Sequence, residues 1–530
     1  MKNPGMNKLI ARDLLWIIPA ALGLGALLSI ISPGSFVASS LAFSLIFLIG
    51  LLGLAAAWRW VGGGRRLAIM LGLALLLRLG TGAALYIFLP THGNDNPEDR
   101  AGYVFTDSYR RDGQAWELAR SGHPVWTAFS KEFYTDQYGG LLALSAWIYR
   151  YLSPPAHRPL LVVALAAFTA TFGVPFFWKG AQIMGGDQVA IPAAWIFSLY
   201  PESILQGSAQ MREPFLSTFI AMAFWGFIGW QSGSGRKTLL WLAGGLAGML
   251  LFSPAIALLT LIVLAVWLWF RKEQHRISWQ ALLLAAVIFL AGLFLLSWGL
   301  TRQASPISRS PLGVAAEWFR QAVKWDVYQL ERGSGWVQKL FGEMDIPARL
   351  LFVTGYGMAQ PVLPAIFIAP TTIVWRTLGI LRALGWYLLA PLLIYGLYAA
   401  WKTPRQRERS LWIWLGVVTW SWILISALRA GGDQWDNPRY RVILLVWQAL
   451  FAGYAWACWR EQHDGWLPRL LAVEGVFLAF FTVWYAERYY PIFSPLPFWG
   501  MLGWIAVLSG LILSAGWLYD RWKLHKKPRA

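Results

Sequence analysis

The chain has 530 residues, 57% of them hydrophobic and 13% charged, where a soluble domain carries roughly a quarter charged residues. That composition excludes a water-soluble fold, and long continuous apolar runs exclude a β-barrel. The net charge of +19 would suit nucleic acid, but the basic residues cluster in short segments between apolar runs, the pattern of cytoplasmic loops, which argues against that partner.

The 35 tryptophans, many at the ends of apolar runs, fit the aromatic belts at headgroup depth. The single cysteine, Cys458, lies inside an apolar run, which rules out an intrachain disulfide or a cysteine-built zinc site.

A basic amino terminus precedes the first apolar run, 14–32, which has no convincing small-residue cleavage site and reads as a retained helix. Runs 36–57 and 67–90 follow, with Arg59, Arg65 and Arg66 between them marking the cytoplasmic side. Segment 91–137 is then external, polar, and long enough to carry function. Residues 139–152 are too few to cross about 30 Å of hydrocarbon, so they read as an in-plane or re-entrant helix.

With that helix kept outside, 160–178 runs in, 189–205 out, and 214–230 in to Arg236 and Lys237. Spans 238–252 and 255–270 lead to Arg271, Lys272 and Arg276, and 277–300 returns outward. A second external region, 301–383, holds an amphipathic stretch from Glu317 to Phe341, with Trp318, Ala322, Trp325 and Tyr328 at helical spacing. Spans 384–401, 411–428, 442–459, 466–485 and 498–519 complete the chain, with basic segments 402–409 and 521–529 inside.

The expected fold is all-α: a polytopic transmembrane helical bundle of about 14 spans, with two external loop regions bearing in-plane helices. The expected location is the cell (inner) membrane, multi-pass, with both termini cytoplasmic. The parts are two extra amino-terminal helices (1–66), a core (67–300) with the first external loop (91–137), the second external region (301–383), and carboxy-terminal helices with a basic tail (384–530).

Three clusters carry candidate chemistry. In the first external loop, Asp107 and Asp112 stand at the start of an expected short helix with Ala115, Leu118 and Ala119 on one side. A carboxylate there can act as general base or metal ligand, or Asp107 can simply cap the helix. Glu213, in Gln210-Met211-Arg212-Glu213-Pro214, falls at the outer end of its span, where an ordinary N-terminal charge is the alternative. The third cluster, Arg439-Tyr440-Arg441, can hold a phosphate or snorkel to lipid headgroups. Arg78 lies within the third span and calls for a partner inside the bundle, with a structural ion pair expected. His123 is the histidine of the candidate site loop, and one histidine makes a weak zinc site.

In their order along the chain these features resemble the GT-C superfamily of polytopic glycosyltransferases, which includes the aminoarabinose transferases of lipid A and the protein O-mannosyltransferases. The features are the Arg78 span, the acidic loop with Asp107 and its 115–122 helix, the aromatic-glycine stretch 134–140, Glu213-Pro214 and Arg439-Tyr440.

The resemblance implies inverting transfer of a sugar from a polyprenyl-phosphate donor to a glycan, lipid or protein acceptor at the outer face. Asp107 is implied as base, with Asp112 the near alternative and Glu213 a second acid. The phosphate would be met by Arg439, Tyr440 and Arg441, joined by Lys324 or Arg332. A divalent cation, magnesium or manganese, is allowed on Asp107 and Glu213 and not required. The rivals are a surface-polysaccharide polymerase or ligase, which would not depend on Asp107, and a transporter or flippase, which would place charge at the midplane.

Overall fold

The computed structural model describes residues 6–130, 132–133, 135–270, 344, 346–430, 432–490 and 497–526. Every regular element among the described residues is helical, and no strand occurs there. This is the all-α, membrane-spanning architecture that the apolar runs require, since only helices satisfy every backbone group within one apolar segment. Seven helices among the described residues are long and apolar enough to cross a membrane, or eight if a pair bent by 76° at 436–462 counts as one. Three shorter apolar helices, Leu14–Ile30, Thr238–Phe252 and Pro254–Phe270, accompany them. Each expected span in the described residues falls on a helix. The expected span 277–300, the amphipathic stretch Glu317 to Phe341, Lys324 and Arg332 lie outside the described residues.

The chain divides into two compact units, Met1–Gly186 with Ala194–Gln321 and Val442–Val446, and Asp187–Ala193 with Ala322–Arg441 and Trp447–Ala530. In the first unit α1 (Met6–Ile30) and α2 (Phe36–Val61) form a hairpin. Next come α3 (Arg65–His92), the short α4 (Pro97–Arg100), α5 (Thr106–Arg120) and α6 (Gly140–Leu152). Helix α7 (Pro159–Leu199) is one continuous element only nominally: non-helical backbone at Gly185 and Gly186 splits it, between the expected spans 160–178 and 189–205. Then α8 (Pro201–Gly207), α9 (Glu213–Gln231), α10 (Thr238–Phe252) and α11 (Pro254–Phe270) follow.

With no hydrophobic effect between helices in lipid, close backbone approach has to supply their cohesion. Helices α9 and α10 meet through Gly226 and Gly245, where a Cβ would fall 2.3 Å from Leu242 N and 2.5 Å from Phe219 O. Replacing either glycine forces this pair apart. The amino-terminal hairpin docks on α7 by the edge-on pair Phe47–Phe168, ring centroids 5.4 Å apart. Its turn is tied by Arg158 Nε donating to Pro33 O at 3.0 Å.

Arg78 is buried in α3, 1% exposed, and its partners differ from the expected ion pair. Its Nη1 donates to Ala74 O and Ser198 O, both at 3.0 Å, and its Nη2 donates to Ser203 Oγ at 3.0 Å. Ser198 lies in the last turn of α7, whose carbonyls have no helical partner and carry the negative end of the helix dipole. A guanidinium therefore finds compensation there without a carboxylate. Gly207 makes room for it, since a Cβ would sit 2.7 Å from Arg78 Cδ. Arg78→Ala is expected to cost about 3 kcal/mol by stranding the Ser198 carbonyl. Thermal unfolding in detergent measures this, and Arg78→Lys should recover only part because an ammonium cannot span the same acceptors.

The second unit contains α12 (Ile346–Ala359), α13 (Leu363–Ile368), α14 (Ile373–Lys402), α15 (Gln406–Ala430), α16 (Asp436–Val442), α17 (Leu445–Gln462), α18 (Trp466–Tyr489) and α19 (Phe498–Lys526). Helix α14 begins eleven residues before the apolar run at 384, so part of the expected external region is helix continuous with a span. Helices α18 and α19 are clamped by Arg469, which donates to both oxygens of Asp520 at 2.6 and 2.8 Å.

Candidate functional site

Helix α5 organises one end of the first unit. Its buried residues Ser108, Arg111, Asp112, Ala115 and Leu118 recur at three- and four-residue spacing, the stripe of a helix lying on a packed surface. Asp107 and Asp112 are five residues apart, which at 100° per residue sets them about 140° apart around the axis. They cannot share one role. Asp112 is 1% exposed, while Asp107 is exposed in the first turn, where a carboxylate favourably meets the positive end of the helix dipole. The N-cap itself is Phe105.

Asp112 sits at the centre of a polar cluster drawn from four segments. Tyr103, in the loop before α5, donates its hydroxyl to Asp112 Oδ2 at 2.5 Å, and Tyr149 of α6 donates to Oδ1. His157, just before α7, places Nε2 2.7 Å from Oδ2. The imidazole is stacked on Trp116, with centroids 5.2 Å apart, and edge-on to Tyr149 at 4.9 Å. Gln210, before α9, donates to Pro159 O at 3.1 Å and contacts the Tyr149 hydroxyl at 3.4 Å. Beside it, Arg111 donates to Gln210 O at 3.0 Å and faces Asp136 at 3.8 Å. Asp136 in turn accepts from the Leu142 amide at 3.0 Å and so starts α6.

Helix α6 has 13 residues, a length of about 20 Å, and does not reach across a bilayer. Arg150 fastens it to the end of α5 by donating its Nε to Ala119 O at 3.1 Å and its Nη2 to Leu118 O and His123 O at 2.6 Å.

Burial raises the Tyr103 phenol well above its ordinary range, and the Asp112 charge adds to it; Tyr149 is raised for the same two reasons. Both therefore stay protonated and donating at any physiological pH. The folded state keeps these protons where the unfolded chain, near pH 10, releases them, so stability falls as pH rises past about 10. Tyr103→Phe should flatten that alkaline limb in a thermal-unfolding series against pH.

Glu213 opens α9 and is 2% exposed. Its neighbour Arg212 donates to Gln137 Oε1 at 3.3 Å and lies over the Tyr138 ring, so the aromatic-glycine stretch borders it. Asp107, Asp112 and Glu213 thus occupy the same end of the first unit. Among the described residues no three His, Cys, Asp or Glu side chains gather as a metal set. Asp107 and Glu213 are hard oxygen donors of the kind magnesium takes in ones or twos alongside a substrate phosphate, so they suit it in chemistry without forming a protein-only cage.

In the second unit Arg439 and Arg441 are 6% and 2% exposed, so neither snorkels. Arg441 lies 3.6 Å over the Trp386 ring and donates to Gln360 O. Arg439 pairs with Asp436 at 3.4 Å. Tyr440 lies beneath Arg429 and accepts at its carbonyl from Trp422 Nε1 at 3.0 Å.

His157 corrects the sequence reading, which took His123 as the site-loop histidine. His123 is exposed, and its carbonyl merely accepts from Arg150. The run Pro154-Pro155-Ala156-His157-Arg158-Pro159 does carry a signal: two prolines directly after a helix too short to cross mark a turn on the same side as the acidic loop.

No protein-family model matches the chain. No curated protein matches it either. Among solved structures it is similar to the archaeal oligosaccharyltransferase AglB from Archaeoglobus fulgidus in complex with an inhibitory peptide and a dolichol-phosphate, with 15% identity and a TM-score of 0.38. That match covers 85% of this chain and 55% of the other, so the chain spans just over half of that protein's length.

Proposed function

We propose that this protein is a membrane glycosyltransferase that moves a sugar from a polyprenyl-phosphate donor to an acceptor hydroxyl or amine at the outer membrane face. The observation that carries the reading is the division of labour on α5: an exposed carboxylate, Asp107, on a helix whose other face is fixed through buried Asp112. A base needs both reach and a rigid mount. A bundle of apolar helices admits the donor's hydrocarbon tail, while the acid-bearing end meets the water-soluble part of both substrates.

In the proposed reaction Asp107 takes the proton from the acceptor as its oxygen or nitrogen attacks the anomeric carbon. The bond from that carbon to the phosphate oxygen breaks, polyprenyl phosphate leaves, and attack from the opposite face inverts the configuration. Asp107 then returns its proton to water. Asp112 acts as a positioning residue, its oxygens already engaged by Tyr103, Tyr149 and His157. Glu213 is the second acid. A magnesium or manganese ion would be held by Asp107 and Glu213 and would supply charge neutralisation at the donor phosphate. For phosphate recognition we propose Arg439, Tyr440 and Arg441, with Lys324 and Arg332 as further candidates.

The test is transfer of label from a panel of polyprenyl-phosphate sugars in proteoliposomes containing the purified protein. Transfer from at least one donor, with an inverted product, is expected. No transfer from any lipid-phosphate donor, together with polymerisation of a lipid-pyrophosphate glycan or movement of lipid between leaflets, would overturn the reading. If the ion is used, EDTA lowers transfer and added magnesium or manganese restores it; transfer indifferent to EDTA removes the ion and leaves Asp107 and Glu213 as acids alone.

A further inference from the structure

A second polar feature lies far from α5. Along α7, Lys179 is twenty residues beyond Pro159, about 30 Å at helical rise, so it belongs to the opposite end of the same spanning segment. There Trp60, Lys179, Trp225, Ser234, Lys237, Thr238 and Trp241 line a pocket of about 310 Å³. Its walls are three indoles: Trp60 is edge-on to Trp225 with centroids 5.4 Å apart and tilted against Trp241 at 6.0 Å. The Lys179 ammonium lies 4.8 Å from the Trp60 ring centre and 5.4 Å from that of Trp225.

That ammonium has three donors, and among the described residues one is used, on Trp60 O at 3.2 Å. Lys237 brings a second positive charge to the same pocket, whose seven lining residues include no carboxylate. Two ammoniums in an aromatic-walled cavity, uncompensated by any lining acid, make a site for an anion rather than for a cation or a neutral sugar. The surrounding Trp belt and the basic loop Arg236-Lys237 place it at headgroup depth on the side opposite the acids.

We propose that this pocket binds a phosphate group at the membrane surface, held between Lys179 and Lys237, with the indoles covering the adjoining apolar part of a lipid headgroup. An anionic phospholipid and free inorganic phosphate share this chemistry, and the indole walls favour the lipid. The site is separate from the proposed transfer chemistry and stands or falls without it.

The experiment is thermal unfolding of the full chain in detergent, titrated in turn with phosphatidylglycerol, phosphatidylcholine and inorganic phosphate, with the lipids retained on the protein counted by native mass spectrometry. Phosphatidylglycerol should raise the unfolding temperature by about 2–4 °C and remain bound, phosphatidylcholine should do neither, and high salt should weaken the effect. Lys179→Gln combined with Lys237→Gln should abolish the difference between the lipids. A separate Lys237→Gln variant, exposed and outside the packed core, should reduce it without lowering the unfolding temperature in lipid-free detergent. A shift with inorganic phosphate, lost in the double variant, would support the anion site and assign it to the free ion. Equal responses to the two lipids, or an unchanged preference in both variants, would overturn the proposal.

Discussion

Asp107→Asn is expected to lower sugar transfer by about 10²–10⁴-fold, the ordinary worth of a positioned general base, while lowering stability by no more than about 1 kcal/mol. The stability half follows from where the side chain sits. Asp107 is exposed in the first turn of α5, and an amide of the same shape removes a charge without opening a cavity. The activity half follows from chemistry, because an amide cannot accept the acceptor's proton at neutral pH. Loss of the base lowers kcat, and a raised donor KM beside it would report the proposed metal contact of Asp107 at the donor phosphate. Glycosyl transfer with saturating donor in proteoliposomes, paired with an unfolding curve on the same preparation, reads both. An Asp107→Asn protein that transfers at the wild-type rate would remove Asp107 as base and favour the rival surface-polysaccharide polymerase reading.

Asp112→Ala should produce the opposite pattern, a large loss of stability with a smaller fall in the activity of the protein that stays folded, because α5 loses the anchor beneath Asp107. The Asp112 side chain has no exposure and gathers two phenols and an imidazole from the 103 loop, α6 and the segment before α7. Deleting it strands those donors in a buried site, an expense of about 3–5 kcal/mol by analogy with breaking a buried charged pair. Asp112→Asn keeps the volume and one acceptor oxygen and should cost less. Combining Asp112→Ala with Tyr103→Phe should cost less than the sum of the two, since the second change removes a group already left without its acceptor. Strict additivity would mean that the two residues do not act through each other. If Asp112→Asn abolished transfer in fully folded protein, Asp112 rather than Asp107 would be the base.

The residues proposed for phosphate in the second unit resist the same treatment. Arg441 is stacked on Trp386 and donates to a main-chain carbonyl, so its removal would disturb packing whatever its role toward phosphate. Arg439, paired with Asp436, offers the cleaner substitution.

The sequence by itself determined the class of molecule. Apolar runs of bilayer length have one solution for their backbone hydrogen bonds, the helix. The shortness of 139–152, together with the sidedness of the basic loops after it, kept that segment from being counted as a crossing, and the helix found there has 13 residues. The periodicity of α5 was legible for the same reason: Ala115 and Leu118 fall on one helical face at a spacing that any helix imposes.

What each polar side chain does was decided only by the tertiary structure. Asp107 and Asp112 look alike in sequence, and only the packing of α6 and the α7 loop against one face of α5 buries the second and leaves the first exposed. His157 reaches Asp112 across 45 residues, and Arg78 reaches a carbonyl 120 residues away, where sequence reasoning expected an acid. Hydropathy is a property of a segment and survives being read one segment at a time. A hydrogen-bond partner is a property of the fold, and a buried cation satisfied by a helix-end carbonyl leaves no residue-type signature to read.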